Sequence, residues 1–232
     1  MSRSKPRDAL AVMAHRLAPI DDPDFFPTPP WGARAGAEWI RRLDPGARSV
    51  WEPACGAGHM AHGLGDYFPQ VFQSDAFVYG PHTVYDFTDR SRRTPFVADW
   101  IVTNPPFALI GEFIRLAWAR ARRGVAMLMR LGVKEGVTRH PLLARECPLA
   151  ATMTFAERLP MHKLRWEPDG STAAAYAWFF WLKPPALGAS PYRAAILAAR
   201  QHGLHLDGWI EPGARRRLSR PSDLVLAAKG GA

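Results

Sequence analysis

The tetrapeptide Asn104-Pro105-Pro106-Phe107 is the densest chemical signal in this 232-residue sequence. Two prolines fix the backbone and remove two N–H donors, which leaves carbonyls free to point into a pocket. The Asn104 side-chain oxygen and the Pro105 carbonyl can then both accept hydrogen bonds from one –NH2 group. Those bonds hold an amine with its lone pair facing an electrophilic methyl group, and relieve the positive charge that develops on transfer. Phe107 offers a flat apolar face on which a base flipped out of a duplex can stack. A methyl group that is already activated makes a strong general base unnecessary. The competing reading is a plain proline turn capped by asparagine.

A second constellation lies upstream. Glu52-Pro53-Ala54-Cys55-Gly56-Ala57-Gly58 sets an acid at a strand end before glycines that open a helix. Gly56 and Gly58 let the backbone turn sharply and approach a ligand closely. A dinucleotide site would want a third glycine, where Ala61 stands, and no acid-proline before the turn. A carboxylate at Glu52 suits a cationic ligand better than a pyrophosphate. Asp75 ends the next strand, 19 residues beyond Gly56, and can accept both hydroxyls of a ribose. Asp86-Phe87 combines an acceptor for an adenine amino group with an aromatic that stacks on the ring, and Asp89 competes for the acid role.

The elements needed to position these residues can be read from the pattern. Apolar runs at 49–51, 71–75, 83–86, 100–103, 125–131, 151–155 and 173–182 predict seven strands. Helical spacing covers 31–43, 59–67, 109–121 and 192–202. Strands alternating with helices predict an α/β, Rossmann-like, mostly parallel sheet covered on both faces, with ligands bound beyond the carboxyl ends of the strands. Each motif above falls at such an end. Residues 1–24 are expected to be a flexible lead-in with one short helix, 25–185 the main domain, and 186–232 a basic extension containing a helix.

Composition sets the outer limits. Hydrophobic residues make up 47% and charged residues 22%, the mix of a globular chain, and no run approaches the ~20 apolar residues of a membrane helix. The N-terminus lacks the apolar core of a signal peptide, so a cytoplasmic location is expected. Thirty Lys+Arg against 21 Asp+Glu leave a net charge of +9, which attracts polyanions. An arginine-rich composition imposed by a GC-rich genome is the other explanation. Two cysteines, Cys55 and Cys147, argue against a disulfide scaffold or a zinc site, and neither has the neighbours of a reactive thiol.

Taken together, these motifs resemble the class I methyltransferases that use S-adenosylmethionine, and within them the adenine-N6 type of DNA methyltransferase, closest to small phage- or prophage-type enzymes. Glu52 to Gly58 is similar to the cofactor motif of that family. Asp75, with Ala76 beside it, matches its ribose acid, and Asp86-Phe87 its contact to the cofactor adenine. Asn104-Pro105-Pro106-Phe107 matches the catalytic tetrapeptide, with Phe107 in place of the more usual tyrosine. Thr28-Pro29-Pro30 resembles a segment in which the threonine helps hold the methionine carboxylate. The resemblance therefore implies S-adenosylmethionine as cofactor, Asn104 at both catalytic and cofactor sites, and nucleic acid as partner, DNA ahead of RNA.

Gamma-type relatives carry a separate target-recognition domain after the catalytic half. Here three strands and their helices use up most of the chain beyond Phe107. Target contacts would then come from residues 132–147, where Arg139 stands, from 161–171 with Lys163, Arg165 and Trp166, and from the basic tail. An ordinary solvated connection is the alternative for 161–171. An RNA amino-methyltransferase, acting on guanine N2 or adenine N6, and a non-catalytic binding protein that keeps the fold are the alternative functions.

Overall fold

The computed structural model describes residues 25–227, so the expectations for 1–24 lie outside the described residues. In chain order the main elements are helix α1 (Pro30–Leu43), β1 (Ser49–Glu52), α2 (His59–Leu64), β2 (Gln70–Asp75), β3 (Thr83–Val84), β4 (Trp100–Thr103), α3 (Ile110–Arg120), β5 (Gly124–Arg130), β6 (Ala151–Phe155), β7 (Tyr176–Leu182), α4 (Pro184–Ala189), α5 (Arg193–Gln201), β8 (Leu206–Ile210) and α6 (Ala214–Leu218). The strands form one sheet in the order β3-β2-β1-β4-β5-β7-β6-β8. Every pair is parallel except those made by β7, which runs antiparallel to both β5 and β6.

Both faces of the sheet are buried, as its near-continuous apolar strands require. Val50, Trp100, Val102, Ala126, Leu128, Trp178 and Phe180 point to one core, shared with α1 and α2. Their neighbours Trp51, Ile101, Val125, Met127, Phe179 and Trp181 point to the other, shared with α3 and the segment between β5 and β6. One close approach seats α1: a Cβ on Gly36 would lie 2.3 Å from the Trp178 ring, and the Trp178 indole donates to the Gly32 carbonyl at 2.9 Å.

The expected sheet has seven strands and the structure has eight. The extra one is β8, parallel to β6 and outermost. Its sequence, Leu206-Asp207-Gly208-Trp209-Ile210, carries an aspartate and a glycine that lower strand propensity, and only Ile210 is buried. Pairing with β6 overrides that weak local preference. The segment after β8 returns to α1. Arg34, 1% exposed, donates to both Asp223 oxygens at 2.7 Å, to Asp66, and to the Leu218 carbonyl. A buried guanidinium is tolerable only with this many acceptors.

Candidate functional site

Beyond the carboxyl ends of β1, β2 and β4 the chain opens into a cavity of about 350 Å3. The position follows from topology: α2 leaves β1 on one face and α3 follows β4 on the other, so a crevice forms between two adjacent strands. Thr28, Glu52, Pro53, Ala54, Gly56, Asp75, Ala76, Asp86, Phe87, Asn104 and Pro106 all line it. Gly58 and Pro105 do not, though Gly58 caps α2 with φ of 83° and Pro105 is buried behind the turn.

The glycine turn is built around Asp75. Its Oδ2 accepts the Gly56 N–H at 2.8 Å and its Oδ1 the Phe77 N–H at 3.0 Å. These two bonds fix the carboxylate at the cavity wall, where its oxygens border the space a ligand would occupy. Gly56 has φ of +49°, and a Cβ there would meet the Phe25 ring at 2.3 Å, so glycine is demanded on two grounds. Glu52 is 2% exposed, and its Oε2 has no hydrogen-bond partner among the described residues. Burial, with the nearby Asp75 charge adding to it, holds the Glu52 carboxyl well above the ordinary carboxylate range. A positive charge entering the cavity would reverse that cost. Asp86 is oriented by the Thr88 N–H and hydroxyl, both donating to its Oδ1.

At the other end, Asn104 Nδ2 donates to the Phe26 carbonyl at 3.1 Å. A carbonyl can only accept, so the amide nitrogen must face it and Asn104 Oδ1 is left as an acceptor. The Pro106 carbonyl accepts the Leu109 N–H at 3.0 Å, which closes the turn without consuming the Pro105 carbonyl. Phe107 faces a neighbouring depression, lined also by Arg130 and Arg139. The Arg130 guanidinium lies 4.4 Å over its ring, and the Phe26 ring centroid is 5.4 Å away. One face of the expected stacking surface is therefore already covered by a cation.

Two aromatic residues of the expected sites are largely enclosed by their neighbours. Phe87 borders the cavity but is 1% exposed, packed against Trp51 and Phe113 with the Arg120 guanidinium 4.8 Å from its ring. It is a wall of the core, not an open face. Trp166 is 6% exposed and sits edge-on to His59, itself a cavity residue, so it packs behind the site. Lys163 and Arg165 of the same loop are exposed, Arg165 paired with Glu167. Neither lines the cavity.

Local pattern misses several lining residues. Phe25 and Tyr79 stack at 4.7 Å, and with Phe77 they supply the aromatic surface that Phe87 does not. His59 and Met60 come from the first turn of α2, Leu109 and Phe113 from the turn and helix after Asn104. The three prolines around Thr28 hold Phe25 and Phe26 across the cavity in extended chain, a signal present in the sequence but silent about what those rings touch.

No protein-family model matches the sequence, and no curated protein does. Solved structures do share the fold. A protein from Listeria monocytogenes assigned as a class I S-adenosylmethionine-dependent methyltransferase superposes with a TM-score of 0.56 at 11% identity, over 88% of this chain and 71% of that one. The methyltransferase subunit of a type I restriction-modification system from Streptococcus thermophilus gives 0.51 at 12% identity, over 68% of this chain. This chain matches 44% of that subunit's length. The likeness is one of architecture, and the fold of this chain is that of the class I methyltransferases.

Proposed function

We propose that this chain is an S-adenosylmethionine-dependent methyltransferase acting on the exocyclic amino group of a nucleobase, with adenine N6 in DNA as the acceptor. The observation that carries the reading is Asn104, whose amide nitrogen is engaged by the Phe26 carbonyl so that its oxygen is left to accept from a substrate amine beside the cavity. The fold and the net charge of +9 support the same reading.

The lining residues fit the cofactor. The buried, partnerless Glu52 Oε2 calls for a positively charged group, which S-adenosylmethionine carries at both its ammonium and its sulfonium. Asp75 would take the ribose hydroxyls, Asp86 the adenine amino group, and Thr28 the methionine carboxylate. A cavity of about 350 Å3 is in the ordinary range for a ligand of this size. When bound, the cofactor supplies an electrophilic methyl group. Asn104 Oδ1 would accept from the amino group, aim the nitrogen lone pair and stabilise the charge that grows on nitrogen. The apolar walls, Phe25, Phe26 and Leu109, exclude water that would weaken those bonds.

An RNA acceptor is the second reading, supported equally by the net charge of +9, since RNA is a polyanion like DNA. Incubation with tritiated S-adenosylmethionine and separate DNA, RNA and protein pools tests both. Label in DNA at adenine N6 is the expected result. Label in RNA alone sinks the DNA reading, and undiminished labelling by Asn104→Ala sinks the mechanism.

A further inference from the structure

A second cavity, of about 380 Å3, shares no lining residue with the first. It lies between the 131–149 segment, the end of α5 and the start of β8. Lys134, His140, Arg200 and His205 line it, and none of its lining residues is acidic. Arg200 is held in place by a hydrogen bond from Nη2 to the Pro148 carbonyl at 3.1 Å. Its Nε is buried and has no partner among the described residues, and the same is true of His205 Nε2. Native proteins rarely leave two buried polar nitrogens unsatisfied around one cavity, so each asks for an explanation. Lys134 is only loosely countered, by Asp207 at 3.8 Å, a carboxylate that is itself 56% exposed.

The chemistry wanted there is an acceptor with several oxygens and negative charge. A guanidinium fork, an imidazole and an ammonium converging on one space match a tetrahedral oxyanion, which can receive all three at once. Burial draws the Arg200 pKa below its ordinary value; burial first and then the Lys134 charge do the same for His205. An anion in the cavity would offset both.

The occupant can be narrowed by what surrounds it. The segment that walls this cavity also supplies Gly132, Val133 and Arg139 to the depression under Phe107, beside Arg130 at the end of β5. Arg130, Lys134, Arg139 and His140 thus lie along the wall between the depression under Phe107 and the second cavity, with Glu135 the one acid among them. We propose that this cavity is an oxyanion site that seats a backbone phosphate of the nucleic-acid substrate, held by Arg200 and His205 with Lys134 and His140 at its rim. The oxyanion chemistry stands on the cavity alone, whereas its assignment to nucleic acid rests on the proposed function.

The test uses the full chain and two variants, Arg200→Gln and Lys134→Gln. Lys134 is exposed at the rim, so its replacement leaves the packing around Pro148 intact and controls for misfolding of Arg200→Gln. Anisotropy of a labelled duplex across a salt series reads nucleic-acid binding without requiring catalysis. Each variant is expected to bind about tenfold more weakly, the effect of one charge-assisted hydrogen bond, and to lower the slope of log affinity against log salt by about 1. Titration with inorganic phosphate, followed by the histidine ring resonances, is expected to shift His205 and His140 in the native chain and not in Arg200→Gln. Phosphate shifts with unchanged duplex affinity and slope in both variants overturn the nucleic-acid assignment and leave a free-phosphate site. No phosphate response in the native chain, with unchanged duplex binding, overturns the site itself. Because neither readout involves methyl transfer, a chain that binds a duplex through this cavity but labels no nucleic acid would separate failure of the proposed function from failure of this one.

Discussion

Asn104 and Phe26 lie 78 residues apart in sequence and meet through a 3.1 Å hydrogen bond that joins the Pro-Pro turn to the extended segment before α1. The bond sets which end of the amide faces the cavity. Replacement by alanine removes both the acceptor and the tie. Asn104→Ala should lower the rate of methyl transfer by about 10²–10³-fold, the usual effect of removing one preorganised polar group at a reacting centre. Single-turnover labelling beside equilibrium titration of the cofactor checks this, with the loss of rate expected to exceed any loss of cofactor affinity.

Glu52 makes stability depend on pH in a defined direction. A carboxyl whose pKa is raised in the folded chain stays protonated there after it would have ionised in the unfolded one. Stability is thus lost as pH rises from the ordinary value of 4.5 towards the raised value. Calorimetry of the ligand-free protein should show this loss, and Glu52→Gln should flatten it. For a chain of this size the melting temperature should gain about 2–4 °C for each kcal/mol relieved. The same variant should bind S-adenosylmethionine more weakly, having lost the charge that favours a cation.

Gly56→Ala sets a methyl group against the Phe25 ring and forces a residue with a side chain to φ of +49°. The backbone component alone costs about 1 kcal/mol. Cofactor binding should be lost or greatly weakened. Adding Phe25→Ala removes the collision but not the backbone cost, so the double variant should recover only part of the stability in a denaturant titration.

The ion pair between Arg34 and Asp223 is buried on both sides, at 1% and 3% side-chain exposure. Asp223→Ala leaves a desolvated guanidinium with one fewer partner and should cost about 3–5 kcal/mol. Arg34→Met combined with Asp223→Leu should recover much of that loss, measured as the midpoint of urea unfolding.

Neither cysteine should behave as a reactive thiol. Burial, reinforced by Glu52 and Asp75, holds the Cys55 thiol far above its ordinary pKa, and burial with Glu146 raises Cys147 to about 11. The thiolate is the reactive form, so iodoacetamide at pH 8 should leave both unmodified in the folded protein and modify both in urea.

Much of this arrangement is legible in the sequence because strand ends carry their own punctuation. Glu52, Asp75 and Asn104 each close an apolar run, and the structure brings all three to one cavity. The interior strands β4, β5 and β7 are almost wholly apolar and buried along their length, so their identity does not depend on neighbours. What local pattern does not carry is any contact between distant segments. β8 is a strand only because β6 offers it an edge. Phe25 belongs to the cavity only because Gly56 lacks a side chain beneath it. Phe87 and Trp166 are aromatic residues beside chemically suggestive neighbours, and only tertiary packing reveals that both are occupied in the core.

The pairing of Arg34 with Asp223 also dictates an order of events. The two residues are separated by 189 positions, so helix α1 is made long before this second counter-ion, with Asp66, 32 positions on, the earlier partner of Arg34. At about 5–20 residues per second the delay is roughly ten to forty seconds. During that interval the Arg34 guanidinium has Asp66 but lacks its bonds to Asp223 and to the Leu218 carbonyl. The full seating of Arg34 is therefore completed only once the segment from Leu218 to Asp223 has been made, which ties the first helix of the described chain to its last turns.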